Sequence, residues 1–162
     1  MAAVVSNTGP IIALADIDQL GLLRQLFAAT LIPPAVRAEV SKEPALSALQ
    51  AALADGWLSE QSPADAAVTR LLNETLDLGE SQAIALAQQV EPAWIILDDL
   101  AARHIAQAIG LAVIGTLGVL LLAKDAGYVA QVKPLLDKLR AHSLYVSEAL
   151  YTSILKNAAE AD

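Results

Sequence analysis

Two short segments constrain the fold more than any other part of the chain. Val4-Val5-Ser6-Asn7-Thr8-Gly9-Pro10 near the start and Trp94-Ile95-Ile96-Leu97-Asp98-Asp99 two-thirds along each read as an apolar strand. Each strand stops at an oxygen-bearing polar group and then turns into a helix. In an α/β sheet, side chains just past the carboxyl ends of neighbouring strands converge on one crevice, where ligands bind. If these two strands lie side by side, Asn7, Asp98 and Asp99 meet in an acidic site.

The rest of the chain fits that frame. A strand at residues 3–6 leads to a helix from Pro10, since proline suits a first helical turn. A second helix is expected after Asp18 as its N-cap, through Leu20, Leu22, Leu23 and Phe27. Residues 30–32 form a strand, and Pro33-Pro34 opens a helix carrying Val36, Glu39 and Val40. A helix over 44–54 ends at Asp55-Gly56, a strand follows at 57–59, and Pro63 starts a helix to about Leu72. Gly79-Glu80 begins a helix that buries Ala83, Ile84, Leu86 and Ala87. Then come a strand at 94–97, a helix over 100–109, a strand at 111–114, a helix from Thr116, and two amphipathic helices near 134–141 and 147–158. Strands alternating with helices imply a parallel sheet with right-handed crossovers. Hydrophobic residues make up 56% of the 162-residue chain, yet aromatics only 4%. Ala and Leu dominate, which favours helices on a small sheet over a β-sandwich. The length suits a single domain over 1–162 with helices on both faces.

Several classes fall away. With no cysteine there is neither a disulfide framework nor a thiolate metal site, and a reducing cytoplasm is the expected compartment. No charged region precedes the first apolar run, so no secretory signal is read. Between Arg103 and Lys124 no residue is formally charged, a length that approaches the roughly 20 residues of a membrane span. Gly110, Gly115 and Gly118 punctuate it, and a buried parallel strand is itself a continuous apolar run. The expectation is therefore a soluble strand and helix with no membrane partner. The net charge of −8 weighs against phosphate binding, but it is unevenly spread. Residues 1–99 carry 13 acidic and 4 basic side chains, whereas residues 100–162 carry 5 and 6. Apolar helical stretches such as 46–53 and Ile154-Leu155 are expected at the surface, as partner-binding faces.

The succession Val-Val-Ser-Asn-Thr-Gly-Pro-Ile-Ile-Ala-Leu, Ile-Pro-Pro-Ala-Val-Arg-Ala-Glu-Val, Leu-Gly-Glu-Ser-Gln-Ala-Ile-Ala-Leu-Ala, Ile-Leu-Asp-Asp-Leu-Ala-Ala-Arg and Ile-Gly-Thr-Leu-Gly-Val-Leu resembles the PIN domain. The likeness is to a prokaryotic branch in which the Gly-Thr-Leu-Gly segment recurs, and it runs over residues 3 to 157. It implies an α/β fold, a three-layer α/β/α sandwich with a mostly parallel central sheet. It also implies a Mg²⁺- or Mn²⁺-dependent ribonuclease, often the toxin of a toxin–antitoxin pair and often a homodimer, with RNA as substrate and a small antitoxin as partner. By the same resemblance Asn7 takes the first acidic position, where most members carry Asp. Glu39, Glu80 and Asp99, with Asp98 beside it, match the remaining acids.

Hydrolysing a phosphodiester needs an activated water and neutralisation of the charge that grows on the phosphoryl oxygens. Hard dications held by oxygen ligands supply both. Asp99 and Glu80 are expected as principal metal ligands, Asn7 and Asp98 as supporting ones, and Glu39 as holder of a water or a second metal. Thr8, Arg103 and Thr116 are the candidate contacts to nucleic acid. Each residue also has a plainer reading. Asn7 and Asp98-Asp99 sit where side chains cap helices, and Glu80 in a first helical turn suits the helix dipole whether or not it binds metal. An exposed Glu39 needs no explanation, Arg103 can pair along its helix, Thr116 can cap its own, and His104 reads as a surface residue. Three functions follow: a metal-dependent endoribonuclease, a catalytically weak PIN-fold binding module, and a phosphoacceptor signalling domain. The last expects its acidic pair after the first strand, and here the pair follows a late one.

Overall fold

Period-two alternation along the strands decides the architecture. The structure is a computed structural model that describes residues 2–142 and 144–161. Its five strands are β1 (Ala3–Ser6), β2 (Ala29–Ile32), β3 (Leu58–Glu60), β4 (Trp94–Ile96) and β5 (Val113–Ile114). They form one all-parallel sheet in the order β3-β2-β1-β4-β5. Successive side chains of a strand face opposite sides. Accordingly Val4 and Ile96 enter one core, and Val5, Ile95 and Leu97 enter another across the sheet. All five are fully buried, each stabilising by about 1.5–3 kcal/mol against exposure.

The larger core is roofed by α1 (Thr8–Asp16), α2 (Leu22–Leu26), α4 (Ala45–Asp55), α8 (Thr116–Asp125), α9 (Lys133–His142) and α10 (Glu148–Asn157). The smaller one lies beneath α6 (Leu78–Val90) and α7 (Leu100–Ala108), with Leu72 of α5 (Ala66–Leu72) packed against it. A short α3 (Pro34–Glu39) lies against α6. This is a three-layer α/β/α sandwich. Gly118 lets α8 settle on the sheet, because a Cβ there would stand 2.5 Å from Ile114 Cγ1.

The chain runs outward from β1 through β2 to β3, then returns to the other flank of β1 as β4 and β5. The reversal puts β1 beside β4, with Val4 opposite Trp94 and Ser6 opposite Ile96. The switch point of the sheet therefore lies where both informative segments end.

Several local expectations change. The first helix begins at Thr8, two residues before Pro10. Asp18 caps nothing; it takes a left-handed conformation (φ 56°) in the turn that ends α1, its N–H bonded to the Ala15 carbonyl. A short polar side chain tolerates that conformation better than most, and α2 shrinks to five residues behind Gly21. Helix α5 starts after Asp65, whose carboxylate accepts from the N–H groups of Ala67 and Val68, rather than at Pro63. The apolar stretches expected at the surface are packed instead. Leu49, Ile154 and Leu155 are buried and Leu46 and Leu53 half-buried, because α4 lies against α1 and α10 against α8. No helix among the described residues is long and apolar enough to cross a membrane.

Candidate active site

Each strand end hands its polar residues to the start of a helix. Beyond β1, the Asn7 N–H bonds the Ile96 carbonyl at 3.1 Å, so the backbone pairing of β1 with β4 continues into Asn7. Asn7 occupies the N-cap position of α1, yet its side chain makes no capping hydrogen bond. The residue is only 7% exposed and its Oδ1, cut off from solvent, has no hydrogen-bond partner. The plain capping role is thus absent, and a buried amide oxygen without a donor is costly.

Next to it, the Thr8 hydroxyl donates to Glu39 Oε2 at 2.5 Å. Glu39 is the last residue of α3, and its carboxylate reaches the first turn of α6. Both of its oxygens lie 2.8 Å from where a Cβ on Gly79 would stand, so the absence of a side chain at Gly79 makes the seat.

Glu80 follows Gly79. Asp77 caps α6 by accepting from the Glu80 N–H at 2.7 Å, while Glu80 Oε2 accepts from the Asp77 N–H at 3.3 Å. This reciprocal capping box is encoded by Asp-x-x-Glu, a signal that the helix expected from Gly79 left unused. Burial, the charge of Asp77 and the charge of Asp99 push the Glu80 carboxyl up to about 7. Three acids from two chain segments therefore feel one another here.

Beyond β4 the two aspartates part company. Asp99 N-caps α7, accepting from the Ala102 N–H at 2.9 Å. Asp98 turns to α8, where its two oxygens accept from the Thr116 N–H (2.8 Å) and the Thr116 hydroxyl (2.5 Å). Thr116 is fully buried, so both of its donors serve this junction. Gly115 makes room for it, since a Cβ there would be 2.9 Å from Asp98 Oδ1 and from Arg103 Nη1. Arg103 donates from Nη1 to the Leu97 carbonyl at 2.8 Å. His104 is exposed on α7.

The fold thus gathers Asn7, Thr8, Glu39, Glu80 and Asp99 around the switch point and commits Asp98 and Thr116 to each other. Among the described residues, no three His, Asp or Glu side chains stand in an arrangement that could already hold a metal ion. The donor set is nonetheless suited in kind to a hard cation: oxygen ligands, an amide oxygen lacking any partner, and a carboxyl whose proton affinity is raised by burial and by its acidic neighbours.

A family profile described as a PIN domain matches residues 3–160. The chain belongs to the PIN domain family. Among curated proteins none matches it. The all-parallel sheet flanked by helices is the PIN-like architecture. Membership places the chain among nuclease-type hydrolases of a family that generally binds divalent metals.

Proposed function

We propose that this PIN domain is a divalent-cation-dependent endoribonuclease, with Mg²⁺ or Mn²⁺ as its cofactor and RNA as its substrate. The observation that carries the reading is the gathering of Asn7, Glu39, Glu80 and Asp99 at the switch point, with the Asn7 oxygen unpartnered and the Glu80 carboxyl pushed up. Asn7 Oδ1, Glu80 and Asp99 would hold the cation, with Glu39 poised beside them on Thr8. When bound, the cation supplies a polarised water and neutralises charge on the phosphoryl oxygens. Thr8 fixes Glu39, Asp98 fixes the start of α8 through Thr116, and Arg103 offers its remaining N–H groups to a backbone phosphate. The cellular role we infer is that of a toxin in a toxin–antitoxin pair, cytoplasmic and homodimeric, with a small antitoxin as protein partner.

A second reading draws on Asn7 itself. An amide brings no charge to balance a dication, so the fold could serve as a catalytically weak binding module. An RNA cleavage assay separates the two. Mn²⁺ or Mg²⁺ should support cleavage of a labelled single-stranded RNA that EDTA stops, and Asp99→Asn with Glu80→Gln should abolish it. RNA left intact by the parent protein at every cation concentration would overturn the nuclease reading in favour of the binding module.

A further inference from the structure

An open groove of about 480 Å³ runs along the β5 edge of the sheet, beside the acids but outside them. Trp94, Leu100, Tyr145 and Leu150 line it, with Asp98 and Arg103 at the end nearest the candidate active site. We propose that this groove is a base-binding subsite for a nucleotide of single-stranded RNA next to the cleaved bond. The inference rests on the nuclease reading for the substrate and for its place beside the cleaved bond, while the groove's capacity to bind RNA is tested apart from cleavage.

Three observations carry it. The first concerns aromatic rings, of which the chain has few: two tryptophans, three tyrosines and one phenylalanine. Tyr145 faces this groove, as does Trp94, which is half-buried against the larger core. Tyr145 is 88% exposed and so contributes almost nothing to the core. Tyr151 shows the opposite use: its hydroxyl donates to Asp137 and its ring lies beneath the Arg140 guanidinium. Unpaired bases are commonly held by stacking on rings left open to solvent.

The second observation is charge. Arg103 is half-buried and bonds a backbone carbonyl, and among the described residues no carboxylate pairs with it. Asp98 beside it is tied by two hydrogen bonds to Thr116 at the start of α8. The guanidinium is therefore the cation of the groove still open to a phosphate. The groove-lining residues belong almost wholly to the later part of the chain, where residues 100–162 carry 6 basic against 5 acidic side chains. The acidic excess that repels RNA is carried by the earlier part.

The third is continuity. Asp98 ends at the groove and Asp99 begins at the acids, so neighbouring residues of one chain segment border both. A strand whose phosphate lay at the acids could continue past Asp98 into the groove that Tyr145 lines.

The test is RNA binding in EDTA, where cleavage cannot interfere. The probe is a short, unstructured, labelled RNA, compared with an abasic oligomer of equal length. The parent should bind the RNA and should bind the abasic chain more weakly. Tyr145→Ala should weaken RNA binding about tenfold, and Tyr145→Phe should restore it. Arg103→Gln should weaken it and lower the salt dependence by roughly one phosphate contact. The side chain at position 145 is exposed, so the Tyr145 variants are expected to fold. Equal binding by parent and Tyr145→Ala overturns the proposal, as does a change in molecular mass by light scattering with RNA affinity unmoved, which would mark a protein-docking face. A parent that cleaves RNA while Tyr145→Ala leaves affinity unchanged sinks this subsite and spares the nuclease. Groove-dependent binding without cation-dependent cleavage does the reverse.

Discussion

The ends of β1 and β4 are built from similar materials and used differently. At the end of β4 each carboxylate has structural work. Asp99 caps α7, and Asp98 holds the start of α8 through Thr116. At the end of β1 the Asn7 amide is buried, where Asp98 is half-buried and Asp99 exposed, yet its oxygen bonds nothing. The hydroxyl oxygens of Thr30 and Thr69 are also buried without a partner, and what sets the Asn7 oxygen apart is its place at the switch point beside the acids. Of the two ends, the one with the unmet group is the better guide to where a ligand binds.

That contrast can be broken by removing each side chain. Asp98→Ala leaves the Thr116 N–H and hydroxyl buried without acceptors, at about 1–3 kcal/mol each. Urea unfolding should show a loss of about 2–6 kcal/mol, and Asp98→Asn, which keeps one acceptor, roughly half of it. Asn7→Ala removes an unmet polar atom and should cost less than about 1 kcal/mol. Equal losses at the two positions would erase the distinction.

Adding charge at the orphan sharpens it. Asn7→Asp places a carboxylate among acids without any donor, so the cation-free protein should lose about 1–2 kcal/mol. Mn²⁺ should return that loss and raise the melting temperature further than it does in the parent. An unchanged Mn²⁺ affinity by isothermal titration would remove Asn7 from the site.

Glu80 makes the contrast depend on pH. Its folded-state carboxyl is raised from 4.5 to about 7. Between those values the folded chain keeps a proton that the unfolded chain has released, so stability falls as pH rises through that window. Melting temperatures in EDTA should decline from pH 5 to pH 7.5, and Glu80→Gln should flatten the decline.

The smallest expected effect is at Gly79→Ala. The new Cβ meets the Glu39 carboxylate, the free end of a flexible side chain, so stability should move by less than about 1 kcal/mol, with alanine favoured in a helix. The melting-temperature gain given by Mn²⁺ should nevertheless shrink, because Glu39 is pushed off its seat. A full gain would detach Glu39 from cation binding.

The sequence makes the sheet easy to read because both faces are buried: runs such as Val4-Val5 and Ile95-Ile96-Leu97 need no partner to be recognised as strands. The gathering of Asn7 with Glu39, Glu80 and Asp99 follows from strand order and the resemblance together. What was hidden depends on neighbours distant in sequence. Nothing near Asp98 announces Thr116, eighteen residues on, as the taker of both its oxygens. The packing of 46–53 against α1 is equally invisible, so an amphipathic helix read as a partner face is a core helix. Asp18 misled for a local reason, since a good capping residue is also a residue that accepts a left-handed turn.

The register of β1 with β4, Val4 against Trp94, has a consequence for synthesis. Closing so long a loop costs little more than closing a short one, because loop entropy grows only by about 0.6 kcal/mol per doubling. Its effect falls on timing, since non-local pairings slow folding. A nascent chain that has not yet released residues past Asp99 from the ribosome has no crevice at all, however well its first strands have paired. The crevice between β1 and β4, with Asn7 and Asp99 at its two sides, therefore comes into being as one late event.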